Sequence, residues 1–470
     1  MEKITADICI IGAGSGGLSV AAGASQMGAN VVLFEAGKMG GDCLNAGCVP
    51  SKALLAAGKA AHYAAGRPEF GVRGDAQIDF AAAKAHVANV IATIEPHDSV
   101  ERFEELGVRV ISERAAFADR ETVQSANFEV KAKYIVVATG SQAVVPPIPG
   151  LDQVPYHTNE TIFADKVSPD HLVVIGGGPI GVEMAQAHAR LGAKVTIVEA
   201  FSVMGRDDAE LVSILRQTLE QEQIKIEEGV AVTNVSGSEG DLTIDLADGR
   251  KLQASHLLVA VGRRPAISGL NLEAAGINTN AAGIITDKRL RTSNKSIFAI
   301  GDVTGRAQFT HIAGYHAGIV IRNMLFKLPA KIDESLTPWV TYTDPELAHV
   351  GLTESAAKDT WGAKNVRCLE APLSGNDRAV AEGRTEGKVK AIVHKNGRIL
   401  GASILAPNAG EMILTWVLAI SAKQKVAKMA SVITPYPTYG DASKRAAGSF
   451  YTASLFSERT KKIVRLLLRF

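Results

Sequence analysis

The stretch ADICIIGAGSGGL at Ala6–Leu18, continued to VVLFE at Val31–Glu35, decides the fold. Ala6–Ile11 is an apolar run that reads as a buried strand. Gly12, Gly14 and Gly17 follow in the pattern G-x-G-x-x-G, then an Ala-rich helix to about Gly28, then a second strand closed by Glu35. Each part has a physical task. Gly12 makes the tight turn, Gly14 lets backbone approach a pyrophosphate, and Gly17 lets the helix pack on the strand. The helix start offers free N–H groups and its positive dipole end to phosphate. Glu35 is placed to accept a hydrogen bond from a ribose hydroxyl. A glycine turn alone is weak evidence; the complete strand–turn–helix–strand–acid unit is strong.

The unit returns. His171–Ile175 predicts a strand, Gly176, Gly178 and Gly181 repeat the turn, Val182–Leu191 predicts a helix, and Lys194–Val198 a strand that ends in Glu199. Glu35 follows Gly12 by 23 positions, and Glu199 follows Gly176 by the same 23. Such self-similarity implies two dinucleotide sites in one chain. Each unit has a later strand ending in small residues: Tyr134–Val137 before Ala138, Thr139, Gly140 and Ser141, and Leu257–Val261 before Gly262. Small residues suit a strand end where backbone passes close to a bound group. Ile297–Ile300 is another buried strand, and Asp302 beyond it suits a hydroxyl-rich chain. Pro146–Gly150 is a stiff link between the repeats. From Thr337 the glycine signature is gone. Trp339–Thr343, Val389–His394 and Leu400–Leu405 predict strands, and Glu411–Lys425 and the segment from Ser443 predict helices. This is a separate α+β unit.

Composition narrows the function. Lys+Arg 50 against Asp+Glu 49 gives a net charge of +1, which argues against a nucleic-acid partner. Four cysteines are too few for a disulfide scaffold and point to a reducing compartment. The apolar run Ile8–Ile11 is too short for a signal peptide, and Met412–Ile420 is about half a membrane span. A soluble, cytoplasmic protein is expected. Two of the cysteines stand in GGDCLNAGCVPSK, Gly40–Lys52. Cys43 and Cys48 alone are equally well inert buried thiols, half a metal site or working sulfur.

The two fingerprints, the C-x4-C, ATGS at Ala138–Ser141, VGRRP at Val261–Pro265 and FAIGD at Phe298–Asp302 come in an order that resembles the FAD-dependent pyridine nucleotide–disulfide oxidoreductases. Dihydrolipoamide dehydrogenase, glutathione reductase and mercuric reductase belong to that family. The resemblance covers essentially the whole chain. It implies an α/β fold with two Rossmann-like domains, one for FAD and one for NAD(P), and a C-terminal α+β dimerisation domain. The parts would be residues 1–149 and 269–335 for FAD, 150–268 for NAD(P), and 336–470 for the homodimer interface. Gly12, Gly14, Gly17, Glu35, Lys52, Thr139, Gly140 and Asp302 would hold FAD. Gly176, Gly178, Gly181, Glu199 and Gly262 would hold the nicotinamide dinucleotide. Cys48 would face the flavin, Cys43 would exchange with substrate, and Lys52 and Glu183 would pair beside the flavin. The helix begun by Phe309–Gly318 would point its N-terminus at the flavin.

Several chemical expectations follow. Residues five apart on a regular helix lie roughly 8–9 Å apart, while a disulfide needs about 4.4–6.8 Å between Cα atoms. The segment is therefore broken if Cys43 and Cys48 bridge, and Gly47 and Pro50 suit a distorted first turn. Lys52 is a candidate cation to lower a thiol pKa. A carboxylate at Glu199 accepts the 2′-OH of NAD and repels the 2′-phosphate of NADP, so NAD is favoured, with Arg206 seven positions on as a complication.

The chain also departs from the pattern. Disulfide-reducing members end in H-P-T-x-x-E, and here Tyr436 and Asp441 hold the histidine and glutamate places. The histidine shuttles a proton between substrate thiol and the exchanging cysteine. Tyrosine titrates near pH 10 and histidine near 6.5, so the base matched to neutral pH is missing. Mercuric reductase is similar in carrying tyrosine there. The sequence from Met1 to Phe470 is expected to work without that enzyme's C-terminal cysteine pair and N-terminal metal-binding domain, and it has Asp42 where better-known members have threonine. The expected acceptor is a metal ion, a quinone or a reactive sulfur species. The alternatives are a divergent dihydrolipoamide dehydrogenase and a non-catalytic flavoprotein sensor. No resident metal is expected. The basic tail Lys461–Phe470 puts Ile463, Leu466, Leu467 and Phe470 on one helical face. Packing on its own protein is the first reading and weak membrane-surface contact the second.

Overall fold

A computed structural model describes residues 1–470. Met1–Ala61, Gln77–Ala200 and Gly229–Asp333 form one compact unit, and His62–Ala76, Phe201–Glu228 and Glu334–Phe470 form a second.

In the first unit β1 (Glu2–Ile11) leads through the Gly12 turn into α1 (Ser15–Gln26) and β2 (Val31–Phe34). The cysteine segment gives α2 (Gly41–Asn45) and α3 (Cys48–Ala64), followed by α4 (Phe80–Ile94), β3 (Val108–Ile111) and β4 (Phe128–Val137). The second repeat gives β5 (His171–Ile175), α5 (Pro179–Arg190), β6 (Lys194–Glu199) and, later, β7 (His256–Val259). β8 (Ile297–Ala299) and α6 (Thr310–Met324) close the unit.

The first sheet has a parallel core in the order β3-β2-β1-β4-β8, and the outer half of β4 also pairs antiparallel with Thr122–Gln124. Register explains where a site forms. Ile11 pairs with Phe34 and with Val137, and Val137 pairs with Ala299. The Gly12 turn, the Ala138–Ser141 run and Gly301–Asp302 therefore emerge at one end of the sheet, as ligand sites in parallel α/β sheets do. In the second sheet Ile175 pairs with Val198 and with Val259, which brings the Gly176 turn and Gly262 together in the same way.

Where the parallel sheet is covered on both faces its strands are continuously apolar, as at Ile8–Ile11 of β1, Val31–Phe34 of β2 and Ile135–Val137 of β4. In β1, Ile8 and Ile10 face a core with Leu18, Val20, Ala21 and Ala24 of α1 and Ala317 and Val320 of α6. Cys9 and Ile11 face the opposite core with Phe34, Val137 and Ala299. Burying each such isoleucine is worth roughly 1.5–3 kcal/mol. Cys9 is thus a packing residue: it is 0% exposed, and burial pushes its thiol pKa far up.

The second unit is built on an antiparallel sheet in the order β9-β10-β13-β12-β11, made of β9 (Pro338–Thr341), β10 (Glu346–Gly351), β11 (Val366–Pro372), β12 (Lys388–His394) and β13 (Ile399–Ala406). α7 (Ala409–Ser421) and α8 (Asp441–Leu455) supply the rest of its core. Trp416 is fully buried there and donates through Nε1 to Ser443 Oγ at 3.1 Å.

The tail forms α9 (Glu458–Leu467), tied back to α8 by Thr460 Oγ1, which donates to Ser454 O at 2.8 Å, but its apolar face is left largely uncovered by the rest of its own chain. Ile463 is 49% exposed, Leu467 64% and Phe470 wholly exposed, so the apolar face stays open. No helix of the protein is long and apolar enough to cross a membrane.

Candidate active site

Both glycine turns are cradles that side chains would fill. Gly12 has φ +107°, and a Cβ there would stand 2.5 Å from Ala138 O; a Cβ on Gly17 would stand 1.9 Å from Gly12 O. The second turn repeats this, with φ +114° at Gly176, 2.4 Å to Ala260 O, and 2.0 Å from a Gly181 Cβ to Gly176 O. These contacts lock the helix onto the strand. Gly14 and Gly178 differ. Beside Gly178 nothing lies within 4 Å, and beside Gly14 only Gly41 Cα at 4.0 Å. Each is a helix N-cap without a side-chain cap, so backbone N–H groups face open space. That arrangement fits a phosphate group.

Glu35 Oε2 accepts from Ala13 N at 2.6 Å, and Glu199 Oε2 accepts from Gly177 N at 2.7 Å. The two acids are held alike at the edges of their cradles. Asp302, at the strand end with Ser141, accepts from Ser141 Oγ at 2.6 Å, and burial holds its carboxyl above the usual range. Thr139 Oγ1 donates to Ala266 O at 2.8 Å. Gly140 has φ +70° and Gly262 φ +136°, each with open space where a side chain would go. Residues and shape fit two dinucleotides.

The cysteine segment is broken, as disulfide geometry requires. α2 ends at Asn45, Ala46 leaves helical backbone (φ −146°, ψ 8°), and α3 begins at Cys48. A Cβ on Gly47 would press on Asp42 O at 2.9 Å. Both cysteines are thiols here. Between them the proton is favoured on Cys43 and the charge on Cys48. Accepting from Cys43 lowers the Cys48 pKa most; Thr310 and the Lys52 charge add to this, burial opposes it, and the outcome is about 6. Donating to Cys48 pushes Cys43 well up, and burial adds to it. Thr310 Oγ1 lies 3.4 Å from Cys48 Sγ, at the first residue of α6. A helix N-terminus and a hydroxyl thus meet the thiolate, 262 positions away in the chain.

Lys52 Nζ contacts Glu183 Oε2 at 2.8 Å, with the Lys52 side chain 37% exposed and Glu183 only 6%. This joins the helix after the cysteines to the helix of the second repeat.

Asp42 is answered on two sides. Arg263 Nη2 pairs with its Oδ2 at 3.2 Å, and Asn159 Nδ2 donates to Oδ1 at 3.1 Å. Asn159 also donates to Ala46 O, and Arg263 Nε donates to Ser141 Oγ at 2.9 Å. A polar chain therefore runs Asp42–Arg263–Ser141–Asp302. Asn159 carries no local sequence cue, while Thr310 opens the helix that the resemblance aims at the flavin. Ser141 and Arg263 sit inside the ATGS and VGRRP runs, which is the signal that points to them.

Tyr436 and Asp441 lie in the second unit. Tyr436 is 70% exposed, and its Oη donates to Asp377 Oδ2 at 2.6 Å. That hydrogen bond and the Asp377 charge raise its pKa further from neutrality. Asp441 instead accepts from Arg445 Nε at 2.6 Å.

Residues 6–317 match the family model described as pyridine nucleotide-disulphide oxidoreductase, and residues 337–447 match its dimerisation domain. The chain is 35% identical over 465 residues to a mercuric reductase of Streptomyces lividans, covering 94% of this chain and 96% of the relative. It is 34% identical over 456 residues to a dihydrolipoyl dehydrogenase of Geobacillus stearothermophilus, covering 94% and 96%. Among solved structures, the Cu(II) complex of the HOCl-induced flavoprotein disulfide reductase RclA from Escherichia coli superposes with a TM-score of 0.85 at 30% identity, covering 93% of this chain and 98% of that one.

Proposed function

The chain belongs to the pyridine nucleotide-disulphide oxidoreductases, an enzyme family that moves electrons from NAD(P)H through FAD to a redox disulfide, and from that premise we propose that this member uses NADH to reduce a thiophilic metal ion at Cys43 and Cys48. The observation that carries the proposal is the pairing of a ready thiolate with a missing base. The Cys43 hydrogen bond, Thr310 and the Lys52 charge hold the Cys48 thiol pKa down to about 6, on the thiolate side of neutrality. At the position where disulfide-reducing members keep a histidine, Tyr436 is committed to Asp377, which holds its hydroxyl protonated and makes it a poorer proton donor still. A disulfide acceptor needs a proton delivered to its leaving thiol. A soft cation needs only two sulfur ligands. The relatives agree in kind: several are named mercuric reductases, and the RclA structure is named as a Cu(II) complex.

FAD, when bound in the first cradle, would relay an electron pair from reduced nicotinamide to the two sulfurs. The chain does the rest. Gly12, Gly14, Gly17 and Glu35 hold the adenosine end, and Thr139, Gly140 and Asp302 line the remainder. Gly176, Gly178, Gly181, Glu199 and Gly262 hold the nicotinamide dinucleotide. Lys52, paired with Glu183, supplies positive charge beside Cys48. Cys48 gives its thiolate to the ion, and Cys43 follows by releasing its proton to water. For a two-electron acceptor the balance is NADH + Hg(II) → NAD+ + H+ + Hg(0); for a one-electron acceptor two Cu(II) become two Cu(I). The matched dimerisation domain supports a homodimer.

The test is NADH oxidation with Hg(II), Cu(II), quinones, lipoamide and oxidised glutathione offered in parallel. The metal ions are expected to turn over fastest, and faster turnover of lipoamide than of either ion would sink the proposal in favour of a divergent dihydrolipoamide dehydrogenase. Tyr436→His is expected to raise disulfide turnover by roughly a hundredfold, the low end of what a placed general acid–base contributes. Should it leave lipoamide and glutathione rates unmoved, the missing base is not the reason for the preference.

Glu199 makes a second expectation. A carboxylate fixed at the edge of the second cradle favours a ribose hydroxyl and repels a 2′-phosphate. The kcat/KM for NADH is expected to exceed that for NADPH by about tenfold, equivalent to roughly 1.4 kcal/mol. Steady-state rates with the two nucleotides decide it, and a preference for NADPH refutes the role given to Glu199.

A further inference from the structure

We propose that His157, Asp165 and His256 form a binding site for a divalent transition-metal ion, with Zn2+ as its probe, separate from the redox sulfurs. His256 is the first residue of β7, so it stands at the end of the second sheet opposite to Gly262 and the nucleotide cradle. His157 lies beside it through a parallel bridge to Leu258. His157 N donates to Leu257 O at 2.7 Å, and Val259 N donates to His157 O at 2.8 Å. The two rings consequently stack, with centroids 6.0 Å apart and planes 10° from parallel.

Both rings aim the same nitrogen at the same oxygen. His157 Nε2 lies 3.1 Å and His256 Nε2 3.3 Å from Asp165 Oδ2, and the three atoms all lie within 4.8 Å of one another. A tetrahedral ion with ligands at 2.0–2.1 Å requires about 3.3–3.4 Å between ligand atoms. Two edges of that tetrahedron are therefore in place before any ion arrives. Two imidazole nitrogens and one carboxylate oxygen suit Zn2+ or Cu2+ and leave a fourth position open.

The surroundings are those of ligating histidines. His157 Nδ1 lies 3.2 Å from Thr161 Oγ1, and His256 Nδ1 lies 2.9 Å from Ser255 Oγ. A hydroxyl on the far nitrogen fixes ring orientation. Ser255 Oγ also lies 3.2 Å from His171 O, a carbonyl acceptor for its single proton. With that proton placed there, His256 carries its own proton on Nδ1 and turns the Nε2 lone pair toward Asp165, an arrangement a cation between them satisfies. Asp165 is anchored by Oδ1, which accepts from Val167 N at 2.9 Å. The three side chains are 14–23% exposed, closed enough to hold an ion and open enough to admit one. Lys84 is the cation already in the neighbourhood; its Nζ donates to Ile162 O at 2.7 Å. The site does not depend on which acceptor the sulfurs serve.

The test uses tag-free, FAD-loaded protein carrying Cys43→Ser and Cys48→Ser, so that the redox sulfurs take no metal. Equilibrium dialysis and calorimetry with Zn2+ are expected to find one ion per chain. His157→Ala, His256→Ala and Asp165→Asn are each expected to weaken binding by at least about tenfold, as loss of a ligand does. Co2+ in place of Zn2+ is expected to give the intense visible bands of a tetrahedral ion. Where an alanine variant fails to fold, His256→Gln retains a polar side chain of similar reach but no imidazole ligand; it is expected to keep the metal-free melting temperature and lose the Zn2+-induced rise. Binding well below one ion per chain, or binding that these substitutions leave unchanged, overturns the site and leaves two histidines hydrogen-bonded to one carboxylate.

Discussion

Cys43→Ser is expected to lower metal-dependent NADH oxidation by at least about a hundredfold while FAD binding is unchanged. The serine leaves the cradles intact, because Gly12 is packed against Ala138 O and Gly17 against Gly12 O, contacts that do not involve Cys43. It removes two things that the sulfur pair alone supplies. A hydroxyl forms no disulfide, so an electron pair has no covalent store. A hydroxyl is also a hard ligand, and a soft cation keeps only Cys48. The other two cysteines do not compensate. Cys9 is fully buried in the first sheet, and burial raises the Cys368 pKa to about 12 in the second unit. Cys368→Ser is accordingly expected to stay within about twofold of wild type, as a substitution away from the reacting sulfurs should. The measurement is steady-state turnover with Hg(II) or Cu(II), with flavin absorbance as the control for cofactor loading. If Cys43→Ser keeps more than about a third of wild-type turnover, reduction at the sulfur pair is wrong.

The same residues show what a sequence can disclose. The cradles are legible because their demands are local: a left-handed φ at Gly12 and Gly176, and no room for a Cβ at Gly17 and Gly181. The break between Cys43 and Cys48 is legible from bond geometry alone. What surrounds the pair is not. Thr310 reaches Cys48 from 262 positions away, and Asn159 and Arg263 reach Asp42 from 117 and 221 positions along the chain. Asp42 looks like an isolated departure until those partners balance its charge. In the second unit β10 and β11 carried no clear mark. β10 is a short run buried on both faces, for which periodicity does not separate strand from helix. The His157–Asp165–His256 group is the extreme case, since its members come together only when a loop folds back beside β7.

Lys52→Met is expected to raise the pH at which Cys48 ionises, and Glu183→Gln to lower it. The sign follows from charge. Cys48 has its pKa held down to about 6 by the Cys43 hydrogen bond first and also by Thr310 and Lys52, while Glu183 pulls the other way. Removing Lys52 deletes a stabilising cation that lies 2.8 Å from Glu183, whose side chain is 6% exposed. That loss disfavours the thiolate. Wild-type Cys48 is therefore ionised above pH 6 and loses reactivity as pH falls through that value. In Lys52→Met the loss begins at higher pH, and alkylation of the reduced enzyme by iodoacetamide at pH 6.5 is expected to slow by roughly three- to tenfold. Because the two thiols are coupled, the titration reports the pair rather than one sulfur, and the direction of its shift is the quantity to read. Stability should fall as well. Breaking a fully buried pair costs about 3–5 kcal/mol, but the Lys52 side chain is 37% exposed, so solvent screening brings the expected loss to roughly 1–2 kcal/mol. Rates of alkylation against pH, with urea unfolding beside them, test both parts. A Cys48 profile that moves the same way in Lys52→Met and Glu183→Gln would show that the pair acts on the sulfur through packing and not through charge.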